Sequence, residues 1–266
     1  EHQLAEKTAL VNQQNANLLG SIRYAQRIQR AVLPELSELQ EFFPGSFVLF
    51  RPRDIVSGDM HWFAEREGRV VVVAGDCTGH GVPGALLTLI GASIFQEIVH
   101  EQGITAPAKL LDQARTAMAS TLAGNDQDQR SLDGMNAAVL SIDRKAMKLS
   151  YAGGFAPLWL LREGVIHEFK GDRMPIGHMD QGERPFQQDE IDLLSGDRLF
   201  IFSDGLQDQF GGPHGKRLRS SGLKAWLEET AALDIEEQGQ AVSDRFRMWK
   251  GREDQVDDVL LIGIAV

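Results

Sequence analysis

The chain holds a single cysteine, Cys77, among 266 residues. No disulfide can form within it, which fits a reducing compartment, and a cytoplasmic location is the expectation. Basic residues are also scarce. Lys plus Arg number 27 against 38 Asp plus Glu, a net charge of −11. Such a surface repels polyphosphates and argues against nucleic acid as a partner. The same excess supplies carboxylates able to gather hard cations. There is no unbroken run of ~18 apolar residues, so no segment is expected to span a membrane, and no signal peptide is visible. The chain begins at Glu1 rather than Met, which suggests a part excised from a longer protein. Against these absences stands an apolar fraction of 42% with 24% charged residues. That is enough for one sizeable core plus an appendage, and it excludes global disorder.

The appendage is residues 1–33. Leu4, Val11, Leu18, Ala25 and Val32 recur every seven residues. With these at d, Thr8, Asn15, Ile22 and Gln29 fall at a, the pattern of a weak, polar coiled coil. A solvated amphipathic helix packed on its own domain is the alternative reading of the same spacing. Pro34 ends the helix, because it lacks a donor and clashes with the preceding turn.

Beyond Pro34 the period changes. "SFVLF", "MHWFAE" and "RVVVVAG", from Ser46 to Gly75, read as strands. Helices are expected over Pro83 to His100 and Pro107 to Leu122. Short strands follow in "GMNAAVLSID", "KLSYAG", "PLWLLREG" and "VIHEFKG", and "DRLFIFSDG" is a further apolar strand. Helices return near Gly222 to Thr230 and Ile235 to Lys250, and "DVLLIGIAV" closes the chain as a buried strand. Strands and helices come in blocks. That favours antiparallel sheets with helices outside, an α+β arrangement rather than a βαβ array. The most polar loop is "NDQDQR", Asn125 to Arg130.

Acids stand at comparable places along this pattern. Asp59 lies in "SGDMHW", Asp76 ends "VVVVAGD", Asp204 ends "LFIFSD", and Asp257 and Asp258 open "DDVLLIGIAV". One Asp-Gly at a strand end is most often a turn, and Asp257-Asp258 alone reads as a solvated strand entry. Taken together, the acids would repel one another at neighbouring strand ends unless a cation neutralised them. Mg²⁺ and Mn²⁺ prefer such oxygen ligands. Other chemistries fail on the same stretch. Pro83 stands where a cysteine-nucleophile phosphatase needs Arg, no Lys follows Gly79 or Gly81 as a P-loop requires, and no G-x-S-x-G elbow occurs. One cysteine and scattered histidines lack zinc spacing. His80 reads as a turn or core histidine, with a proton donor as the sharper alternative.

"SGDMHW", "GDCTGHGVPGALL", "MPIGHM", "SDGL" and "DDVLLIGI" occur in this order. The series resembles the metal-dependent serine/threonine protein phosphatases, in the bacterial SpoIIE-like branch, over residues 45–266. "RYAQRIQRAVLPE" looks like the linker helix that precedes such domains in signalling proteins. The resemblance implies an αββα sandwich of two antiparallel sheets flanked by helices, with two Mg²⁺ or Mn²⁺ ions at one end. Asp76 would bridge them. The Cys77 carbonyl, Asp59, Asp204 and Asp257 would complete the shell, directly or through water, with Asp258 in support. Gly79 and Gly81 would let the loop fold beside the ions. The implied reaction is single-step hydrolysis of phosphoserine or phosphothreonine by metal-activated water.

The implied substrate is a bacterial regulatory protein, a STAS-domain anti-sigma-factor antagonist. Residues 1–33 would form a homodimer and bias the order of the metal site, and an upstream part would be a membrane-anchored sensor. A catalytically weak domain that only binds its partner, and hydrolysis of a small phosphate ester, are the alternatives. The chain departs from the family where "GGFAP", Gly153 to Pro157, replaces a usual Gly-His-Asn-Pro. Arg51 and Arg53 are the nearest candidates for a phosphate-binding arginine, and Asp133 for a third metal acid.

Overall fold

The computed structural model describes residues 2–123, 133–177 and 184–266. Asn125 to Arg130 of the polar loop, and His178 and Met179 of "MPIGHM", lie outside the described residues. Helix α1 (His2–Val32) leads into a short α2 (Leu36–Phe42), then strands β1 (Ser46–Arg51), β2 (Asp59–Arg66) and β3 (Arg69–Cys77). Helices α3 (Gly81–Gln96) and α4 (Pro107–Leu122) follow, joined through a π-helical turn, Glu97–Glu101. Next come β4 (Gly134–Asp143), β5 (Lys148–Gly154), β6 (Leu158–Arg162), β7 (Val165–Phe169), β8 (Ile176–Gly177), β9 (Asp189–Asp192) and β10 (Arg198–Phe202). The chain ends with α5 (Gly205–Asp208), β11 (Phe210–Gly211), β12 (Lys216–Arg217), α6 (Arg219–Glu229), α7 (Ile235–Lys250) and β13 (Val259–Ala265).

Two antiparallel sheets stack face to face. One runs β2-β3-β4-β5-β9, with β8 beside β4, and the other β1-β13-β10-β6-β7. Side-chain alternation along central strands sorts the core into layers. In β3, Val70 and Val72 enter the cluster between the sheets, while Val71 and Val73 pack with Phe95, Leu110 and Met118 of α3 and α4. In β13, Leu260, Ile262 and Ile264 face the other sheet, and Val259 and Leu261 pack with Leu223, Val242 and Phe246 of α6 and α7. Both faces are buried, so these strands are nearly continuous apolar runs. The result is the αββα sandwich.

Several elements depart from the sequence expectations. The helix expected to reach His100 changes to π-helical pairing after Gln96. Helix α2 had no strong signal; it is seven residues long and set by reciprocal bonds between Glu35 and Glu38. The segment Gly81–Glu101 has a mean hydropathy of 1.6, long and apolar enough by composition to cross a membrane. Gly, Ser, Thr and Gln interrupt its apolar residues, so it contains no long unbroken apolar run. Here more than half of it is buried, and its apolar residues Ala92, Ile94 and Phe95 pack in the helix–sheet core.

Helix α1 packs on the sandwich through its last turns only. Ile22, Ala25 and Gln26 are half-buried and Gln29 and Leu33 buried, so its last turns pack on the sandwich. Gln29 Nε2 donates to the Ser57 carbonyl at 2.6 Å and to Thr88 Oγ1 at 2.8 Å, and Ser57 N–H donates back to Gln29 Oε1 at 3.1 Å. Leu4, Val11 and Leu18 are exposed, as is Val32.

Candidate metal centre

The strand ends bring the acids together by register. Asp59 of β2 lies opposite Asp76 of β3, and Asp76 opposite Asn136 of β4. In the facing sheet β10 and β13 are neighbours. Asp204 follows the end of β10, and Asp257 and Asp258 precede the start of β13. Ser203 stitches the two sheets. Its Oγ donates to Asp59 Oδ2 at 2.5 Å and accepts from Leu260 N–H at 3.0 Å. Asp76, Asp204, Asp257, Cys77, His80 and Asn136 line a cleft of about 240 Å³, and among the described residues no Lys or Arg lines it.

The electrostatics follow from that crowding. Burial, then the charge of Asp76, pushes Asp59 well above the usual carboxylate range, against the lowering bond from Ser203. Burial, then Asp204, Asp257 and Asp258, pushes Asp76 up to about 8. Burial, then Asp208 and Asp257, raises Asp204 to about 6, with Arg217 opposing. A cluster of anions that resist ionising together is what a bound cation would relieve.

The two adjacent acids at β13 divide their tasks. Asp258 is buried and accepts the backbone N–H of Arg53 at Oδ1 and of Gly58 at Oδ2, both at 2.7 Å. Asp257 is exposed and lines the cleft. The Cys77 thiol is buried, and burial, then the charges of Asp76, Asp59 and Asp258, pushes its pKa well up. A thiol so placed is a poor nucleophile.

Between β3 and α3 the loop is held by close backbone approach. Gly79 and Gly81 have φ of 81° and 65°. A Cβ on Gly58 or on Gly84 would sit 2.4 Å from the Gly79 carbonyl oxygen. Cys77 N–H donates to the Gly58 carbonyl and Thr78 N–H to that of Gly134. These contacts explain glycines in "SGD" and "VPGALL" that turn chemistry alone did not.

The donor set fits hard divalent ions. The cleft offers carboxylate and carbonyl oxygens, and among the described residues no three His, Cys, Asp or Glu side chains close on one point. An open site of that kind suits Mg²⁺ or Mn²⁺, which keep several waters and need few protein ligands.

Sequence reasoning missed the partners that hold these groups. Ser203 was not singled out, nor was Asp54, whose Oδ2 lies 2.9 Å from His80 Nδ1. Arg51 is engaged elsewhere, donating to Ser243 Oγ at 2.7 Å. Arg53 is exposed, and Asp133 is exposed just before β4.

Comparison with known proteins follows this geometry. The family profile described as "Stage II sporulation protein E (SpoIIE)" matches residues 66–266. The chain is 28% identical over 156 residues to "Phosphoserine phosphatase RsbP" of Bacillus subtilis (strain 168), covering 58% of this chain and 37% of that protein. It therefore spans little more than a third of that curated relative. The structure of the SiaA-PP2C domain of Pseudomonas aeruginosa superposes with a TM-score of 0.85 at 29% identity, covering 95% of this chain and 98% of the other. The PP2C phosphatase domain with a regulatory fragment of SpoIIE from Bacillus subtilis matches in fold, with a TM-score of 0.67 at 16% identity over 83% of this chain and 62% of that one.

Proposed function

The chain belongs to the SpoIIE family of PP2C-type phosphatases, and we propose that it hydrolyses phosphoserine or phosphothreonine on a regulatory protein, using two Mg²⁺ or Mn²⁺ ions. The observation that carries this reading is the gathering of Asp59, Asp76, Asp204 and Asp257 from both sheets at one end of the sandwich, beside a cleft that no described Lys or Arg lines. Residues 45–266 are the catalytic unit and 1–33 the dimerising helix. The substrate class is a STAS-domain partner, and the site of action the cytoplasm. The phosphoserine activity named for the RsbP relative supports the reaction class.

Asp76, Asp59, Asp204, Asp257 and the Cys77 carbonyl are the groups placed to hold the ions. When bound, such ions supply activated water and offset charge on the phosphate oxygens. The remaining roles fall to the chain. Ser203 fixes the Asp59 carboxylate, and Asp258 anchors the Arg53–Gly58 loop that carries it. Asp54 engages His80 at Nδ1, and among the described residues Nε2 has no partner, on a residue that lines the cleft. As the water oxygen bonds to phosphorus and the P–O bond to serine breaks, His80 gives its Nε2 proton to the departing serine oxygen. The water keeps one proton on the phosphate product and releases the other to solvent, from which His80 recovers its own. Asp54 holds the imidazole ring in place for this step.

The test is hydrolysis of p-nitrophenyl phosphate and of phosphorylated STAS proteins from the same genome. Turnover should vanish with chelator and return with Mn²⁺. Full turnover in a metal-free preparation would overturn the mechanism.

A further inference from the structure

Phe155 breaks a local rule beside the cleft. It has a φ of 54°, a left-handed conformation that bulky side chains avoid. The other non-glycine residues with positive φ are Glu67, Met147, Glu163 and Arg219. Three of these sit in tight turns between paired strands, where that conformation is required, and Arg219 opens α6.

Phe155 is different. It lies in the connection between β5 and β6, whose backbone is over-determined. Phe155 N–H donates to the Asp172 carbonyl at 2.8 Å, Asp172 N–H donates to the Gly153 carbonyl at 2.7 Å, and Tyr151 Oη donates to the Ala156 carbonyl at 2.6 Å. These bonds fix the conformation whatever side chain stands there. Gly or Asn would meet it with less strain. The chain carries a phenyl ring instead and leaves it 54% exposed. The ring gains little from the core, so packing does not account for it. It borders a small cavity shared with Asp76, Asn136, Asp204 and Gln207.

We propose that Phe155 is a specificity-determining contact for the protein substrate: it receives an apolar side chain next to the phosphorylated serine or threonine. The inference rests on the phosphatase reading above. The partner's chemistry follows from the same surroundings. Among the described residues no Lys or Arg lines the cleft to attract an acidic substrate, and the chain's net charge of −11 disfavours one at long range, which leaves apolar contact to read the residues beside the phosphate. An exposed aromatic on a hydrogen-bonded backbone has only two χ angles to order and offers apolar contact at small entropic cost. Strain kept at the edge of a site, with no structural return, points to a role in what the site binds.

The test uses the full chain with Mn²⁺ and two phosphoserine peptides that differ only in the flanking residues, Leu in one and Ser in the other. Phe155→Asn keeps a residue that tolerates the backbone and removes the ring. Wild type should favour the Leu-flanked peptide in kcat/KM, through KM. The variant should raise that KM by about tenfold, the loss typical of one well-used contact, and erase the preference. Its kcat should stay within about twofold on both peptides, since P–O cleavage does not involve the ring. Anisotropy of the same peptides, labelled, is read in parallel, so a chain without turnover still reports on Phe155. Equal affinity of wild type for the two peptides overturns the proposal. So does a variant with unchanged KM, or one whose kcat falls alike on both peptides and on p-nitrophenyl phosphate, which would mark a structural role. Absence of Mn²⁺-dependent turnover with a Leu preference intact in binding would sink the phosphatase reading and leave the contact standing.

Discussion

Asp76→Asn should make the metal-free protein more stable while removing its metal response. Among the described residues the Asp76 carboxylate has no hydrogen-bond donor, and Asp204, Asp257 and Asp258 oppose its charge. Its pKa is about 8 in the fold against 3.8 for the ordinary group. The folded value is the higher one, so between these limits the native state binds the extra proton. Stability is therefore lost as pH rises from about 4 to about 8. The ceiling for one group moved that far is about 5–6 kcal/mol. The cleft is open to water, and a high effective dielectric weakens repulsion among the acids, which brings the expected gain to about 1–3 kcal/mol. In a protein of this size that is a rise in Tm of about 2–10 °C. The assay is thermal unfolding in chelator at pH 8.5 and at pH 5, where the gain should shrink to about a third. Mn²⁺ at about a thousand times Kd should then reverse the order, because ion binding at that excess adds about 4.1 kcal/mol to wild type alone. The reasoning is refuted if the variant is no more stable than wild type at pH 8.5 in chelator. It is also refuted if Mn²⁺ raises both Tm values equally.

Asp204→Asn should cut Mn²⁺-dependent turnover by more than about 100-fold, beyond the loss from removing a mere supporting group, while its circular dichroism stays native. Cys77→Ser should turn over near the wild-type rate, because the proposal gives the ions the backbone carbonyl at that position and not the buried thiol; a dead Cys77→Ser with a native fold would contradict this. His80→Ala should lose about 10²-fold or more on a phosphoserine peptide and far less on p-nitrophenyl phosphate, whose leaving group needs no proton; equal losses on both would remove His80 as the donor. Leu18→Asp should convert a dimer to a monomer in light scattering at about 50 μM, a concentration suited to weak pairing, as should truncation near Pro34. A monomeric wild type would end the dimer proposal.

Much of the sandwich is legible because its central strands and outer helices carry strong, distinct periods. Val70 to Val73 can only be a strand buried on both faces, and Pro107 with Leu110, Leu111, Ala114 and Met118 marks α4 from its first turn. The acids at the strand ends were readable as a series, since each closes or opens an apolar run. What held them was not. Ser203 meets Asp59 across 144 residues, and His80 meets Asp54 across 26. No local pattern encodes a partner at that distance. Strands β8, β11 and β12, of two residues each, are too short for alternation to show. The π-helical turn keeps the apolar residues of a helix, so composition does not mark the change of pairing. Gly58 and Gly84 read as turn and helix glycines, and only their shared approach to the Gly79 carbonyl explains them.

The seven-residue stripe of α1 has two claimants. Ile22, Ala25 and Gln29 belong to the same a and d series as Leu4, Val11 and Leu18, and at 3.6 residues per turn they lie on one face. In this structure the sandwich covers the last part of that face, through buried Gln29 and Leu33, and leaves the first part bare. A second helix can therefore pair along Leu4 to Leu18 without disturbing the contact. Pairing that continues to Gln29 must lift the helix from the sandwich, because one face cannot serve both. Lifting would break the Gln29 bonds to Ser57 and Thr88. Ser57 stands two residues before Asp59, and Thr88 lies on α3, directly after the Cys77–Gly81 loop. The stripe is weak, with Thr8, Asn15 and Gln29 among its core positions, so neither arrangement is held by a large margin. A small differential interaction upstream would then suffice to shift the balance. One side chain thereby joins the helix to the segment that precedes Asp59 and to helix α3, which is the physical content of the proposed coupling between dimer and metal site.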